Sequence, residues 1–94
     1  MTSLSLTSRV RANDKVLFQE IGDEAVLLNL DTGVYFGVDE VGMAIWKSIL
    51  KNGQISSVSE DIGLEFEVDF EKRNRDVLEF AKQLLDKNLI YLSE

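Results

Sequence analysis

The chain contains no cysteine, no histidine and no proline. Without cysteine it can form neither a disulfide framework nor a thiolate metal site, and without histidine it lacks the commonest metal ligand and general base. The absence of proline fits regular elements that are closely connected. These absences weigh against catalysis, and we expect neither a metal nor a cofactor.

Long apolar runs and an excess of positive charge are also missing. No run approaches the roughly 20 apolar residues that span a bilayer, and Met1–Asn13 lacks the apolar region of a secretion signal. The formal net charge is −7, which disfavours nucleic acid and anionic membranes at long range. We therefore expect a cytoplasmic protein that does not bind a membrane, and the charge disfavours nucleic acid as a partner.

The residues that are present indicate one globular domain. The 94 residues are 45% hydrophobic, and aromatic residues are spread along the chain, which is enough for a single core. Residues 1–14 are polar and show no sustained period, so we expect a flexible N-terminal arm. The domain itself should occupy residues 15–94.

Three short strands are predicted after this arm, because apolar and other residues alternate in each of them. They are Val16–Ile21, Ala25–Leu30 and Val34–Val38. Gly22-Asp23 joins the first two as a tight turn, and Asp31-Thr32-Gly33 joins the second to the third, with glycine where positive φ is required. The result is an antiparallel meander whose first and third strands are both edges.

Three helices should follow the sheet. Asp39 is placed to cap a first helix over Glu40–Asn52, and a capping box at Ser57–Glu60 predicts a shorter second helix. The third should run over Asp69–Lys87, before a short strand or extended tail at Leu89–Leu92. This is an α+β fold, and a three-stranded antiparallel N-terminal sheet followed by three helices is typical of the winged helix-turn-helix plan.

The candidate catalytic groups have simpler explanations. Asp31, Asp39 and Glu40 are close in sequence, but they fit a turn residue, a helix cap and a first-turn acid. The chain has no glycine-rich phosphate loop and no serine in a nucleophile elbow. We therefore predict that it is not an enzyme.

DNA binding is an alternative that the winged-helix plan raises. The cluster Lys72–Arg75 lies near the start of the third helix, where a recognition helix contacts bases. However, Asp69–Asn88 carries equal numbers of acids and bases, and Ile55–Glu67 carries acids and no base, which weakens binding to phosphates. A DNA-binding transcriptional regulator is kept as the second hypothesis.

A peptide groove is the remaining possibility, and it depends on the third strand and the third helix. Phe80 lies about 100° from the core stripe on a helical wheel, where it either lines a cleft or widens the buried arc. If Val34, Phe36 and Val38 face the core, Tyr35 and Gly37 face outward. Such an edge strand can accept a peptide as an added strand, or pair with a second copy to form a homodimer.

Two parts of the sequence resemble the PqqD family, which is named for a pyrroloquinoline quinone biosynthesis protein and whose domain is also called the precursor-peptide recognition element. They are LDTGVYFGVDEVGMAIW (Leu30–Trp46) and DVLEFAKQLLDKNLI (Asp76–Ile90), and the resemblance as a whole extends from Val16 to Ile90. It implies a winged helix-turn-helix fold with an N-terminal three-stranded sheet. It also implies that the protein is not an enzyme.

The resemblance further implies an adaptor that captures the leader of a ribosomally synthesised precursor peptide by β-strand addition to the third strand, against the third helix. The adaptor then presents the leader to a maturation enzyme, such as a radical SAM protein or a leader peptidase. The peptide-binding residues carried over are Val34, Tyr35, Phe36, Gly37 and Val38 on the strand, and Arg73, Asp76, Val77, Phe80 and Leu84 on the helix. Quinone-pathway members tend to carry a proline-containing turn where this chain has Asp31-Thr32-Gly33, and the chain is in this respect more similar to the wider set of PqqD-like proteins, which includes lasso-peptide and orphan clusters.

Overall fold

The computed structural model describes residues 4–93, and in this range the chain forms five strands and three helices. In chain order they are β1 (Arg9–Ala12), β2 (Val16–Ile21), β3 (Glu24–Asn29), β4 (Tyr35–Val38), α1 (Glu40–Lys51), α2 (Ile55–Glu65), α3 (Phe70–Asp86) and β5 (Ile90–Ser93). The strands form two sheets, ordered β2-β3-β4 and β1-β5. Residues 1–3 of the predicted arm and residue 94 of the predicted domain lie outside the described residues.

The sheet β2-β3-β4 is the predicted antiparallel meander. Its central strand carries Leu27, which is fully buried and pairs with Phe18 of β2 on one side and Phe36 of β4 on the other. Gly22 (φ 63°) and Gly33 (φ 77°) adopt positive φ in the two connecting turns, as predicted. The pairing thus places the predicted third strand, β4, at one edge.

The N-terminal segment differs from the flexible arm expected from its composition, because Arg9–Ala12 forms β1. This strand pairs antiparallel with β5, from Arg9 opposite Ser93 to Ala12 opposite Ile90. Val10 and Leu4 are buried in the core. Local periodicity does not reveal the strand, since its pairing partner lies at the opposite end of the chain.

Three asparagines join the two sheets at the end of α3. Asn88 follows α3 with a left-handed φ of 57°, a conformation that is common just after a helix, and its carbonyl oxygen accepts from Nδ2 of Asn13 (2.8 Å) and of Asn29 (3.1 Å). The Oδ1 atom of Asn29 accepts from the backbone N–H groups of Asp31 and Thr32. Because the Asn13 and Asn29 side chains are buried, these bonds satisfy groups that water cannot reach. They fix the end of α3 beside the turn that leads into β4.

The starts of α1 and α3 agree with the starts predicted from the sequence to within one residue. Asp39 accepts from the N–H of Gly42 at 2.8 Å, and Asp69 accepts from the N–H of Lys72 at 3.3 Å. Each acid satisfies a donor that the first turn of the helix leaves without an intrahelical partner. α1 therefore begins next to its predicted cap, and α3 begins one residue after Asp69, which was expected to be its first residue.

The start of α2 differs from the prediction. The helix begins at Ile55, before the expected capping box, and its N-cap residue Gln54 makes no side-chain cap hydrogen bond. The N–H groups of Ile55 and Ser56 donate instead to the carbonyl oxygens of Ser8 (3.0 Å) and Leu6 (2.8 Å). The N-terminal segment thus supplies the cap through its backbone, which a side-chain pattern cannot indicate.

The structure confirms the α+β class, the three helices and the three-stranded antiparallel sheet, and it adds the sheet β1-β5. The winged helix-turn-helix arrangement stays a prediction. None of the helices between residues 4 and 93 has both the length and the hydropathy that crossing a membrane requires.

Candidate peptide-binding site

The free edge of β4 is the centre of the candidate site. β4 pairs with β3 over Tyr35–Val38, and within residues 4–93 no strand pairs with its other side. The N–H of Asn29 donates to the carbonyl oxygen of Val34 at 2.9 Å, so these two residues form a hydrogen-bonded pair at the start of the ladder. This pair sets the direction of every backbone polar group that follows in β4.

Two residues of β4 direct their backbone groups to the free edge. Hydrogen-bonded and non-hydrogen-bonded pairs alternate along an antiparallel ladder, so Phe36 and Val38 point their N–H and C=O groups at β3. Tyr35 and Gly37 therefore point theirs away from the sheet. The edge offers two donors and two acceptors, which are the groups that an added strand requires.

From Tyr35 to Val38, the side chains of β4 alternate between the outer face and the core, as the sequence predicts. Tyr35 is 67% exposed on the outer face, Phe36 is half-buried and Val38 is buried. A Cβ atom built on Gly37 would meet nothing within 4 Å, so no neighbouring group covers the outer face at this position. Val34, which was expected to face the core, precedes the strand and is exposed.

Phe80 of α3 packs against this strand. Its ring centroid lies 5.8 Å from that of Phe36, with the ring planes tilted by 35°. Gly42 of α1 makes room for the ring, because a Cβ atom at Gly42 would lie 2.9 Å from Cζ of Phe80 and 3.0 Å from Cβ of Val38. Since Phe80 is half-buried, its ring both packs on the core and borders the edge of β4.

The flank of α3 runs antiparallel to β4. Near the start of β4, Asn29 holds the backbone of α3 at its C-terminal end; near the end of β4, Gly42 contacts Phe80. Lys87, the C-cap residue of α3, places its Nζ atom 5.4 Å from the ring centroid of Phe36. We call the free edge of β4 together with Phe36, Phe80 and Lys87 the β4–α3 groove.

Arg73 and Asp76 lie one to two helical turns beyond Phe80, toward the start of α3. The Nε atom of Arg73 donates to Oγ of Ser59 in α2 at 3.1 Å, and its guanidinium stacks 5.1 Å from the ring centroid of Phe70. The side chain of Arg73 also lies against Gly63, where a Cβ atom would clash with it. Arg73 is therefore held against α2 rather than beside Phe36.

Asp76 is exposed and forms an ion pair with Lys72, in which Nζ and Oδ2 are 2.6 Å apart. Two predicted groove residues, Val77 and Leu84, are 1% and 0% exposed. They belong to the core stripe that holds α3 in place, and they present no surface to a ligand in this conformation. Of the helix residues assigned from the sequence, Phe80 is the half-buried one whose ring packs against Phe36 of β4.

The charged groups of the described residues bear on two other kinds of ligand, a metal ion and DNA. Within residues 4–93, no three carboxylates gather in a way that could hold a metal ion. In the cluster expected to contact DNA, Arg73 is bonded to α2 and Lys72 is paired with Asp76. The charge of Lys72 is thus offset by an adjacent carboxylate, and the side chain of Arg73 is directed toward α2, which disfavours binding to phosphates.

The sequence-based assignment did not include two residues of this region. Gly42 lies inside α1. The one signal in the sequence was the presence of a glycine within a predicted helix, where glycine usually lowers stability. Lys87 follows Phe80 by seven positions and so lies on the same flank, but its approach to Phe36 requires the three-dimensional fold.

Known proteins resemble the chain in sequence and in fold. The family model described as coenzyme PQQ synthesis protein D (PqqD) matches residues 24–90. The solved structure of TbiB1 in complex with the TbiA(beta) leader peptide is similar, with 36% identity and a TM-score of 0.78 over 85% of this chain and 93% of that chain.

A lasso peptide synthetase B1, solved as a complex with the leader peptide, has a TM-score of 0.77 and 18% identity. The similarity covers 88% of this chain and 98% of that chain, and at this identity it shows a likeness of fold. The curated proteins include no match to the chain.

Proposed function

The chain belongs to the PqqD family, and from this premise we propose that it is a non-catalytic adaptor for the leader of a ribosomally synthesised precursor peptide. The leader would bind as a strand added to β4 and would be presented to a maturation enzyme. The observation that carries the proposal is the free edge of β4, whose outward N–H and C=O groups run beside the Phe36–Phe80 contact. A relative with 36% identity is a protein in complex with a leader peptide, which supports the same kind of ligand here.

The edge and the helix flank would contribute different parts of the binding free energy. Tyr35 and Gly37 would exchange main-chain hydrogen bonds with the leader whatever its side chains are, because these bonds use the peptide backbone. Every second side chain of the leader would enter the groove and contact Phe36 and Phe80. We expect a dissociation constant in the low micromolar range, or about −8 kcal/mol.

The partners of the adaptor follow from the same proposal. We propose a maturation enzyme, such as a radical SAM protein or a leader peptidase, as the recipient of the bound leader, and the cytoplasm as the place of assembly. A second copy of the chain could also pair with β4, and such a homodimer would compete with the leader for the same edge. DNA binding is not favoured, because Arg73 and Lys72 are held by neighbouring residues.

The proposal can be tested by titrating the isotope-labelled protein with the leader of the precursor encoded next to its gene. We expect amide shifts to concentrate in residues 34–38 and on the flank of α3 that carries Phe80. Exposed amides of α2, such as those of Glu60 and Glu65, serve as internal controls. A titration that moves no resonance in β4 or α3 would rule out this binding mode. If the protein retards duplex DNA in a gel and Arg75→Ala abolishes the retardation, the DNA-binding regulator would be favoured instead.

A further inference from the structure

We infer that the β4–α3 groove selects a leader that carries a carboxylate side chain opposite Lys87. This inference rests on the proposed function and adds the chemistry of the ligand. The inference is based on Lys87, a cation that lies beside the aromatic rings of the groove. Lys87 is half-buried, and its Nζ atom lies 5.4 Å from the ring centroid of Phe36.

The backbone of Lys87 is held in place. Its carbonyl oxygen accepts from Nδ2 of Asn29 at 3.5 Å, and the next carbonyl, that of Asn88, accepts from both Asn13 and Asn29. Because Asn29 also pairs with Val34 at the start of β4, Lys87 is tied to that end of the edge. The ammonium group itself lies over the ring of Phe36, so it loses less conformational freedom on binding than one at the end of a fully mobile side chain.

The charge of Lys87 has no acidic partner within the described residues. The ion pairs found between residues 4 and 93 are Lys47–Glu20 and Lys72–Asp76. Lys87 instead contacts the face of Phe36, an interaction that leaves hydrogen-bond donors of its ammonium group available. Solvent screens a half-buried cation less than an exposed one. A carboxylate that reaches Lys87 therefore gains more electrostatic interaction energy than it would at an exposed lysine.

Position along the groove makes this cation selective. An added strand alternates its side chains, so the leader residue beside Phe36 directs its side chain to the same inner face as Lys87 and Phe80. Acids flank both ends of β4, Asp31 in the turn before it and Asp39 and Glu40 after it, whereas Lys87 approaches the strand at Phe36. A leader carboxylate is therefore favoured beside Phe36, which specifies register as well as composition.

The background charge of the protein strengthens the argument. With a net charge of −7, the protein repels acidic peptides in general at long range. An acidic leader residue is therefore favourable only where a local cation outweighs this field. Lys82, on another face of α3 near Leu4 and Tyr91, provides a matched control for the charge of Lys87.

The test uses a displayed library of random 12-residue peptides, selected separately against the full chain and against three variants: Lys87→Glu, Lys87→Met and Lys82→Glu. Wild type should enrich Asp or Glu at one position with a fixed spacing to an apolar residue. Lys87→Glu should enrich Lys or Arg there, Lys87→Met should show no charge preference, and Lys82→Glu should match wild type. Lys87→Met keeps the apolar stem of the side chain, so it separates charge from packing.

A peptide selected by wild type should bind Lys87→Glu about tenfold more weakly, and Lys82→Glu with unchanged affinity. A wild-type pool without a carboxylate at a fixed position, or the same preference in the Lys87→Glu pool, would overturn the inference and leave strand addition intact. Full binding of the selected peptides to Tyr35→Pro would overturn strand addition instead. If wild type enriches no peptide, both proposals fail.

Discussion

Phe36 of β4 and Phe80 of α3 stack with their ring centroids 5.8 Å apart, and this contact makes one groove from a strand and a helix that are distant in sequence. Both rings are half-buried, so part of each remains available to a ligand. Contact between two aromatic rings also adds stability beyond the area that they bury. The same pair therefore contributes to folding and to the candidate site.

Replacing Tyr35 by proline should weaken leader binding about tenfold, because it removes an outward N–H group that an added strand would use. The free energy of unfolding should change little, since this N–H does not pair with β3 and proline is tolerated at a free edge. Calorimetric titration with the leader measures the affinity, and urea denaturation measures stability. The control is Tyr35→Ala, which removes the ring and keeps the N–H. Equal affinity of a folded Tyr35→Pro variant and Tyr35→Ala would contradict the pairing.

Replacing Phe80 by alanine should lower the free energy of unfolding by about 2 kcal/mol, less than for a fully buried ring, because contacts with Phe36 and Gly42 are lost. Leader affinity should also fall, since the apolar wall of the groove is removed. Phe70→Ala is the matched control, because Phe70 begins the same helix and is 63% exposed as a residue. Denaturation and titration of both variants test the prediction. A Phe70→Ala variant that loses as much affinity as Phe80→Ala would argue against the assignment of the wall.

Two glycines should respond differently to alanine. At Gly42 the new Cβ would lie 2.9 Å from Cζ of Phe80 and would displace the ring. We expect a net loss of about 1 kcal/mol in the free energy of unfolding, although alanine is normally preferred in a helix. At Gly37 the new Cβ would have no neighbouring atom within 4 Å, so the free energy of unfolding should not change. Thermal unfolding of the two variants is the measurement, and a stabilised Gly42→Ala protein would show that the ring moves freely.

Removing the buried side chain of Asn29 should lower the free energy of unfolding by about 2 kcal/mol, because the backbone N–H groups of Asp31 and Thr32 lose their acceptor. The carbonyl oxygen of Asn88 would lose one of its two side-chain donors as well. Urea denaturation of Asn29→Ala tests this, with exposed Asn52→Ala as the control. Equal free energies of unfolding for the two variants would mean that the hydrogen bonds of the Asn29 side chain do not stabilise the fold.

The meander and the edge were predictable from the sequence because their signals are local. Period-2 alternation and the turn glycines specify β2, β3 and β4, and an acid at Asp39 specifies the start of α1. The flank position of Phe80 also follows from the helical period alone. These features need no knowledge of which segments meet in three dimensions.

The parts that were missed depend on contacts between distant segments. β1 is held by β5, and the cap of α2 comes from backbone carbonyls of Leu6 and Ser8, which no side-chain pattern encodes. The sequence placed Arg73 on the flank of Phe80, but its bond to Ser59 directs it to α2. A helical wheel gives the direction of a side chain from its own axis and cannot say which neighbour it meets.

The pairing of β1 with β5 has a practical consequence for protein engineering. Arg9 lies opposite Ser93, so the start of β1 and the end of β5 lie side by side. A linker from residue 93 to residue 4 would keep the buried Leu4 and the capping carbonyl groups of Leu6 and Ser8, and new ends could be opened at the exposed Gly22-Asp23 turn. The resulting circular permutant would start with β3 and β4, which would bring the edge strand close to any enzyme fused at its new N-terminus.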